Sequence, residues 1–334
     1  MPLDSGFGAY VVERQGDQIR HGPSTLRLDD LPAGDVLIQV EWSGINHKDA
    51  MTIEPGNKVA RISPLVPGVD LAGVVVSSDD PSLPEGTQVM AGGFDIGVAR
   101  HGGFAAYARL PSSMVMRLPP GLDSRRAMTA GTAGLSAMLS LEALEAHGLR
   151  PGAGPVLVTA ASGGVGSFAL AILAAAGYQV VASTGKLAEA DWLTSLGASS
   201  VIGRSDLEVE QKRVLGPETY AAAIDSAGGR TLAQVLRLLS YGGAVAASGL
   251  VAGSALEGSI FPFVIRGVSL LGIDSVMVPM ERREQAWRRL AHLVPASVFD
   301  SLVATEVGLE TLTEALERVL QGRVRGRILL RHQP

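Results

Sequence analysis

The stretch Pro155-Val-Leu-Val-Thr-Ala-Ala-Ser-Gly-Gly-Val-Gly-Ser167 leaves this chain few ways to fold. Val156–Thr159 is a short β-branched run, which predicts a buried strand. The chain then breaks into Ser162-Gly163-Gly164-Val165-Gly166. The residues after it, to Gly177, are apolar on nearly every face, which predicts a buried helix closed by a glycine. Strand, glycine turn and helix are the context a dinucleotide loop needs. Glycines let the backbone approach a pyrophosphate, and the free N–H groups of the helix N-terminus face its charge. The spacing is not a strict G-x-G-x-x-G, so the context carries the reading. A glycine-rich turn without a ligand is the plainer alternative.

Tyr178–Ser183 reads as a second strand, which completes a βαβ unit. At its end, an NAD-binding loop places an Asp or Glu that binds the ribose 2′-hydroxyl. This chain has Ser183-Thr184-Gly185-Lys186 there, a cation and no acid, which favours a ligand carrying a 2′-phosphate. A triphosphate loop fails, because Val180 and Leu187 replace the Gly and the Ser/Thr it requires. The uncharged run between Arg150 and Lys186 is long enough to span a bilayer, but its clustered glycines and serines argue against a spanning helix.

The rest of the chain extends the pattern. Short apolar or alternating runs at Tyr10–Glu13, Val36–Trp42, Leu71–Val76, Gln88–Ala91 and Phe104–Leu110 predict a barrel-like domain. Pro119-Pro120-Gly121 marks a boundary, and Ser124–Gly148 reads as a helix. Further strands are predicted at Ser199–Ile202, Ala221–Asp225, Ala244–Ser248 and Ser269–Gly272, alternating with helices. The expected fold class is α/β, a doubly wound parallel sheet plus a β-barrel domain. Residues 281–293 and 309–320 read as amphipathic helices, and Arg325–Leu330 as a terminal strand.

Composition excludes several functions. The chain has 334 residues, a net charge of -5 and no long basic run, which speaks against nucleic acid as a partner. It has no cysteine, so disulfides, catalytic thiols and cysteine-based zinc sites are excluded. Six scattered histidines form no H-E-x-x-H. The first residues lack a signal-peptide pattern, and the expectation is a cytoplasmic enzyme without a membrane partner.

Together, several motifs resemble the zinc-free medium-chain reductases of the quinone-oxidoreductase type, within them the NADPH-dependent acrylyl-CoA reductase branch. They are Asn46-His-Lys-Asp-Ala50, Pro67-Gly-Val-Asp-Leu-Ala-Gly73, Ala130-Gly-Thr-Ala-Gly134, Ala161–Ser167, Thr184-Gly-Lys186, Tyr241-Gly-Gly243 and Gly272-Ile-Asp-Ser-Val276. The resemblance implies a GroES-like domain over 1–125, completed by about 300–334, and a Rossmann domain over 126–299. It implies that Ser162, Gly163, Gly164, Val165 and Gly166 hold the pyrophosphate. Thr184, Gly185, Lys186 and Arg204 would hold the 2′-phosphate, and Leu250, Val264 and Ser275 would line the nicotinamide half. Thr184 and Lys186 stand where the branch more usually has Ser and Arg, and lysine offers a point charge in place of a fork. His47 stands where the branch has a tyrosine that contacts the cofactor. Ala99-Arg100-His101 replaces an Asn-His-Trp triplet, and Val69 replaces the zinc-binding histidine of the zinc enzymes.

Without a metal Lewis acid, reduction of an activated C=C bond is the expected chemistry. The candidate catalytic residues are Asn46, His47 and Asp49: Asn46 as a turn-former and donor to substrate, His47 as a cofactor contact or proton donor. Lys48 and Asp49 could instead form a structural ion pair, and Arg61, Arg100 and His101 are candidates for a CoA phosphate. Three functions stay open: an acrylyl-CoA-type reductase, a quinone or enone oxidoreductase, and a non-catalytic NADPH-binding sensor. An apolar last strand, Val268–Ile273, predicts a homodimer by edge pairing.

Overall fold

The computed structural model describes residues 6–16, 18–208 and 213–333. In chain order the first strands are β1 (Phe7–Gln15), β2 (Gln18–Leu26), β3 (Val36–Ile45), β4 (Asp70–Ser78), β5 (Gln88–Gly92), β6 (Tyr107–Leu110) and β7 (Val115–Arg117). The next are β8 (Val156–Val158), β9 (Val180–Thr184), β10 (Ser200–Gly203), β11 (Tyr220–Asp225), β12 (Leu239–Ala247) and β13 (Ser269–Gly272). The last are β14 (Val303–Val307) and β15 (Arg327–Arg331). The helices are α1 (His47–Met51), α2 (Ser124–Ala146), α3 (Gly164–Ala175), α4 (Ala190–Ser195), α5 (Arg204–Leu207), α6 (Gly229–Leu238), α7 (Phe261–Arg266), α8 (Met280–Leu293), α9 (Ala296–Leu302) and α10 (Leu312–Leu320).

The chain divides into two compact units. The first takes the residues up to Thr132, Val276–Ala291, and the chain from Phe299 on. Its larger sheet runs β14-β15-β3-β4-β5-β7, and β6 also pairs with β3. β3 can hold β6 and β15 on one edge because they share its length: β6 pairs with Val36–Gln39 and β15 with Trp42–Ile45. Val36, Ile38, Val40, Leu71, Val75, Val89 and Ala91 fill the space between these strands, as period-two alternation on curved strands requires. A second cluster joins β1, β3, α1, α10 and β15 through Tyr10, Ile45, Ala50, Phe104, Leu316 and Ile328. β2 escapes the hydrophobic pattern. It is mostly exposed, contains Gly22 and Pro23, and among the described residues pairs only with β1. An edge strand tolerates proline because its outward N–H is not needed.

The second unit, Ala133–Ser275 with His292–Val298, holds a six-stranded parallel sheet in the order β10-β9-β8-β11-β12-β13. The expected doubly wound architecture is present. β8 is buried throughout, and eight consecutive residues of α3 from Gly166 to Leu173 are buried. That explains the unbroken apolar run: this helix has almost no solvent face. Each large side chain it buries contributes roughly 1.5–3 kcal/mol. The chain order reverses between β8 and β11, so the crevice at the carboxyl ends of these two strands is where such sheets bind ligands.

α2 starts in the first unit and continues in the second. It is broken at Gly131, whose φ of 50° and ψ of -150° are not helical. No described helix is long and apolar enough to cross a membrane.

Candidate functional site

In the second unit the site grows from the end of β8. The Thr159 N–H donates to Ile224 O at 3.1 Å, which carries the strand pairing one residue further. Ala160 then takes a φ of 47°, rare for a residue with a Cβ, and turns the chain out of the sheet. The loop is fixed by Ala161 N–H to Ser183 O (3.0 Å) and Gly163 N–H to Ala160 O (2.9 Å). A Cβ on Gly166 would lie 2.4 Å from Ala160 O and 2.7 Å from Ala161 Cα, so only glycine lets the first turn of α3 settle on the loop. Ser162 is buried, and Gly163, Gly164 and Val165 are half-buried around the start of the helix. The first N–H groups of a helix have no acceptor within it, and together with its dipole they suit a pyrophosphate.

The end of β9 lies beside this loop. Ser162 Oγ and Thr184 Oγ1 are 2.9 Å apart, and the Lys186 N–H donates to Thr184 Oγ1 at 3.0 Å. Gly185 is exposed, and a Cβ there would stand 3.7 Å from Cζ of Arg204. The Arg204 guanidinium, carried on the first residue of α5, therefore flanks the same turn as Lys186. Partial burial pushes the Lys186 ammonium below its ordinary value, with the Glu189 carboxylate pulling the other way. Ser162, Thr184, Gly185, Lys186 and Arg204 thus come together as one polar rim with two cations.

The three remaining residues expected in this unit are spread along its later segments. Leu250 is 60% exposed on the loop after β12, and Val264 is 64% exposed on α7. Ser275 accepts a hydrogen bond from Ser136 Oγ at 2.9 Å.

In the first unit, Asn46 precedes α1 and both hydrogens of its amide are committed. Nδ2 donates to Asp70 Oδ2 (2.7 Å) and to Gly44 O (3.1 Å), which leaves Asn46 an acceptor toward any ligand. His47 is exposed at the first position of the helix. Asp49 is fully buried. Its Oδ2 accepts from Asn46 N–H (2.8 Å), and its Oδ1 accepts from Gly68 N–H (3.1 Å) and Val69 N–H (2.8 Å). These bonds correct the ion-pair reading: Asp49 is held by backbone amides, and Lys48 is exposed. Burial pushes the Asp49 carboxyl up to about 7 against the pull of those donors, with the Asp70 charge adding to the rise.

Sequence reasoning passed over the groups behind Asn46. Asp70 also accepts from Thr132 N–H (2.7 Å) and Thr132 Oγ1 (2.6 Å). Buried Arg327 donates to Thr129 O (2.9 Å) and Ile45 O (3.1 Å), with Asp70 and Asp49 close enough to favour its charge. These residues are far apart in the chain and share no local pattern. The CoA-phosphate candidates are otherwise engaged. Arg61 pairs with Asp95 at 2.9 Å, Arg100 donates to Ala33 O at 3.0 Å, and His101 Nδ1 accepts from Val66 N–H at 3.2 Å.

Two family models match this chain: an alcohol dehydrogenase GroES-like domain over residues 32–120, and a zinc-binding dehydrogenase domain over residues 164–292. The acrylyl-CoA reductase AcuI of Ruegeria pomeroyi is 44% identical over 326 residues, 97% of this chain and 98% of the relative. The chain belongs to the medium-chain dehydrogenase/reductase family. Bacillus subtilis YhfP, provisionally named a quinone oxidoreductase, is 43% identical over 97% of this chain and 98% of its own. Its structure with NAD bound matches with a TM-score of 0.95, covering 98% of this chain and 100% of that one. The yhdH oxidoreductase of Salmonella enterica, solved in complex with NADP, matches with a TM-score of 0.94 at 41% identity, covering 98% and 100%.

Some medium-chain dehydrogenases carry zinc. The chain has no cysteine, and no group of three or more His, Asp or Glu among the described residues could hold a metal ion. The close backbone approach at Gly166 and the cations at Lys186 and Arg204 are the kind of groups a pyrophosphate and a 2′-phosphate would require.

Proposed function

We propose that this chain is an NADPH-dependent reductase of an activated carbon–carbon double bond, with an acrylyl-CoA-type enoyl thioester as substrate. The observation that carries the reading is the near-full-length identity with AcuI of R. pomeroyi. The amides of Ser162–Gly166 hold the pyrophosphate, and Thr184, Gly185, Lys186 and Arg204 hold the 2′-phosphate. Leu250, Val264 and Ser275 line the nicotinamide side. The cofactor supplies a hydride for the β-carbon of the thioester. The α-carbon then takes a proton from water or a side-chain acid, and hydrogen-bond donors hold the enolate oxygen in between.

In the first unit His47 is the candidate that meets ligand, and Asp49 acts by fixing the turn before it. If His47 supplies the proton, His47→Phe slows turnover by roughly 10²–10⁴ with NADPH affinity unchanged. If it packs on the cofactor, the aromatic keeps turnover within a few-fold. A His47→Ala variant with unchanged turnover and affinity removes both roles. Activity needs no metal in this reading, and a stoichiometric, activity-linked zinc found by elemental analysis after chelation overturns that.

The provisional name of YhfP favours a second reading, a quinone or enone oxidoreductase with the same cofactor. NADPH oxidation with acrylyl-CoA, crotonyl-CoA, a naphthoquinone and an alkyl enone separates the two. Fastest turnover with acrylyl-CoA is expected. Turnover of the quinone alone replaces the first reading with the second, and cofactor binding without turnover leaves a sensor.

The oligomer we propose is a homodimer. β13 ends the parallel sheet and, among the described residues, pairs only with β12. On α7, directly before it in the chain, Phe261 and Ile265 are exposed, as is Leu270 of β13 itself. An apolar patch beside an open strand edge suits a second copy of the same edge.

A further inference from the structure

One buried carboxylate in the second unit has no place in the reaction as described. Asp225, the last residue of β11, is 0% exposed and sits on the strand where the sheet order reverses. Its two oxygens face two different segments. Oδ1 accepts from Thr159 Oγ1 at 2.6 Å, and Oδ2 accepts from Gly228 N–H at 2.7 Å. Thr159 Oγ1 in turn accepts from Ser226 N–H at 3.2 Å. Burial raises the Asp225 carboxyl above the usual range, and the hydrogen bonds from Thr159, Gly228 and Ala227 pull the other way.

Each segment leads to one half of the dinucleotide crevice. Thr159 runs directly into Ala160 and the glycine loop. The Ala227–Gly228 turn carries the loop after β12, because Ala252 N–H donates to Ala227 O at 2.8 Å. The fit there is backbone on backbone. Gly228 has a φ of 71°, and a Cβ on it would lie 2.7 Å from Gly253 O and 3.0 Å from Gly249 O. Leu250 lies on that loop. The Asp225 carboxylate is thus a direct side-chain link between the base of the pyrophosphate loop and the support of the Leu250 loop, beside the longer bond from Ser226 Oγ to Thr159 O at 3.4 Å.

We infer that Asp225, together with the Thr159 hydroxyl, is a positioning residue that sets the spacing between the pyrophosphate loop and the nicotinamide-side loop. This rests on the NADPH reading above. A buried carboxylate held by neutral donors suits that task, because each donor comes from a different strand end and neither can shift alone without leaving charge unsatisfied. Thr159→Val removes the donor to Oδ1 and the acceptor of Ser226 N–H while keeping the shape of the side chain. Thr159→Ser keeps both bonds.

The experiment compares binding of whole NADPH with binding of adenosine 2′,5′-bisphosphate, its adenosine half, to the full chain. Thr159→Val weakens NADPH roughly tenfold, the scale of one lost charge-assisted hydrogen bond. The fragment, which does not reach the Leu250 loop, binds as before, and Thr159→Ser restores NADPH binding. Asp225→Asn is read in the same way and serves if Thr159→Val does not fold. Unchanged NADPH affinity in the variants, an equal loss for NADPH and fragment, or a serine as poor as the valine overturns the inference. Failure of the unmodified chain to bind NADPH overturns the cofactor reading instead.

Discussion

Lys186 is a single cation standing where an NAD enzyme would carry an acid, and it shares its turn with Arg204. In the proposed 2′-phosphate role, losing its contact to the phosphate would cost about 1.5–3 kcal/mol. Lys186→Ala therefore raises KM for NADPH roughly tenfold or more and leaves KM for NADH nearly unchanged; steady-state kinetics with both cofactors checks it, and equal efficiency in the unmodified enzyme counts against it. Two buried groups of the first unit give stability an unusual pH dependence. His332 donates from Nε2 to Gly103 O at 2.9 Å, and burial pushes it down to about 4 from 6.5. Its contribution is full above 6.5 and is lost as pH falls toward 4, up to about 3 kcal/mol. Asp49, pushed up from 3.8 to about 7, has the opposite sign: its contribution is full below 3.8 and is lost as pH rises toward 7. Between about 4 and 6.5 the two slopes oppose each other. Unfolding titrations of His332→Gln should therefore show stability falling as pH rises over that range, where the unmodified chain is flatter.

At the scale of elements, the break in α2 is held by one carboxylate. A Cβ on Gly131 would lie 2.5 Å from Asp70 Oδ2, and its φ of 50° lies outside what side chains readily adopt. Gly131→Ala must move Asp70, and with it the bonds to Asn46 and Thr132. The expected loss is on the order of 3 kcal/mol by urea unfolding. Gly148→Ala is the control. Its φ is 111° and nothing lies within 4 Å of its added Cβ, so only backbone strain of about 1–2 kcal/mol remains. Equal losses in the two variants would show that strain alone is at work at Gly131. The long helix pattern at Ser124–Gly148 was readable because small apolar residues continue through the break. The break itself was not, since it depends on Asp70, distant in sequence. β2 was hidden for a different reason: it is exposed and, among the described residues, pairs only with β1, so it lacks a buried face. α7 was hidden because Phe261-Pro-Phe-Val-Ile-Arg266 is apolar without burying most of its residues.

For the whole molecule, the proposed dimer has a direct test. Sedimentation or light scattering at micromolar concentration should give twice the chain mass. Leu270→Lys, at an exposed position of β13, should shift that toward monomer by placing charge on the pairing edge. Monomer mass in the unmodified chain ends the proposal. The two units also show how tertiary structure assigns segments. Val276–Ala291 packs with the first unit, where Phe94 N–H donates to Val276 O at 3.0 Å and Arg283 lies 4.7 Å over the Phe94 ring. Nothing local in that segment specifies the partner.

The sequence alone determined what depends on neighbouring residues. The strand–glycine–helix order around Ser162–Gly166, the alternation of strands and helices, and the cation in place of an acid after β9 are local properties, because backbone geometry and periodicity act over a few residues. Only the tertiary structure decided what those residues meet. It joined Ser162 to Thr184 and laid Arg204 beside Gly185. It buried Asp49 under backbone amides and set Asp225 between Thr159 and Gly228. Each of these is a hydrogen bond or contact between strand ends that parallel pairing brings together after a crossover, or between distant segments of the first unit. Their partners are fixed by the register of a sheet, and that register belongs to the assembled core rather than to any stretch of chain.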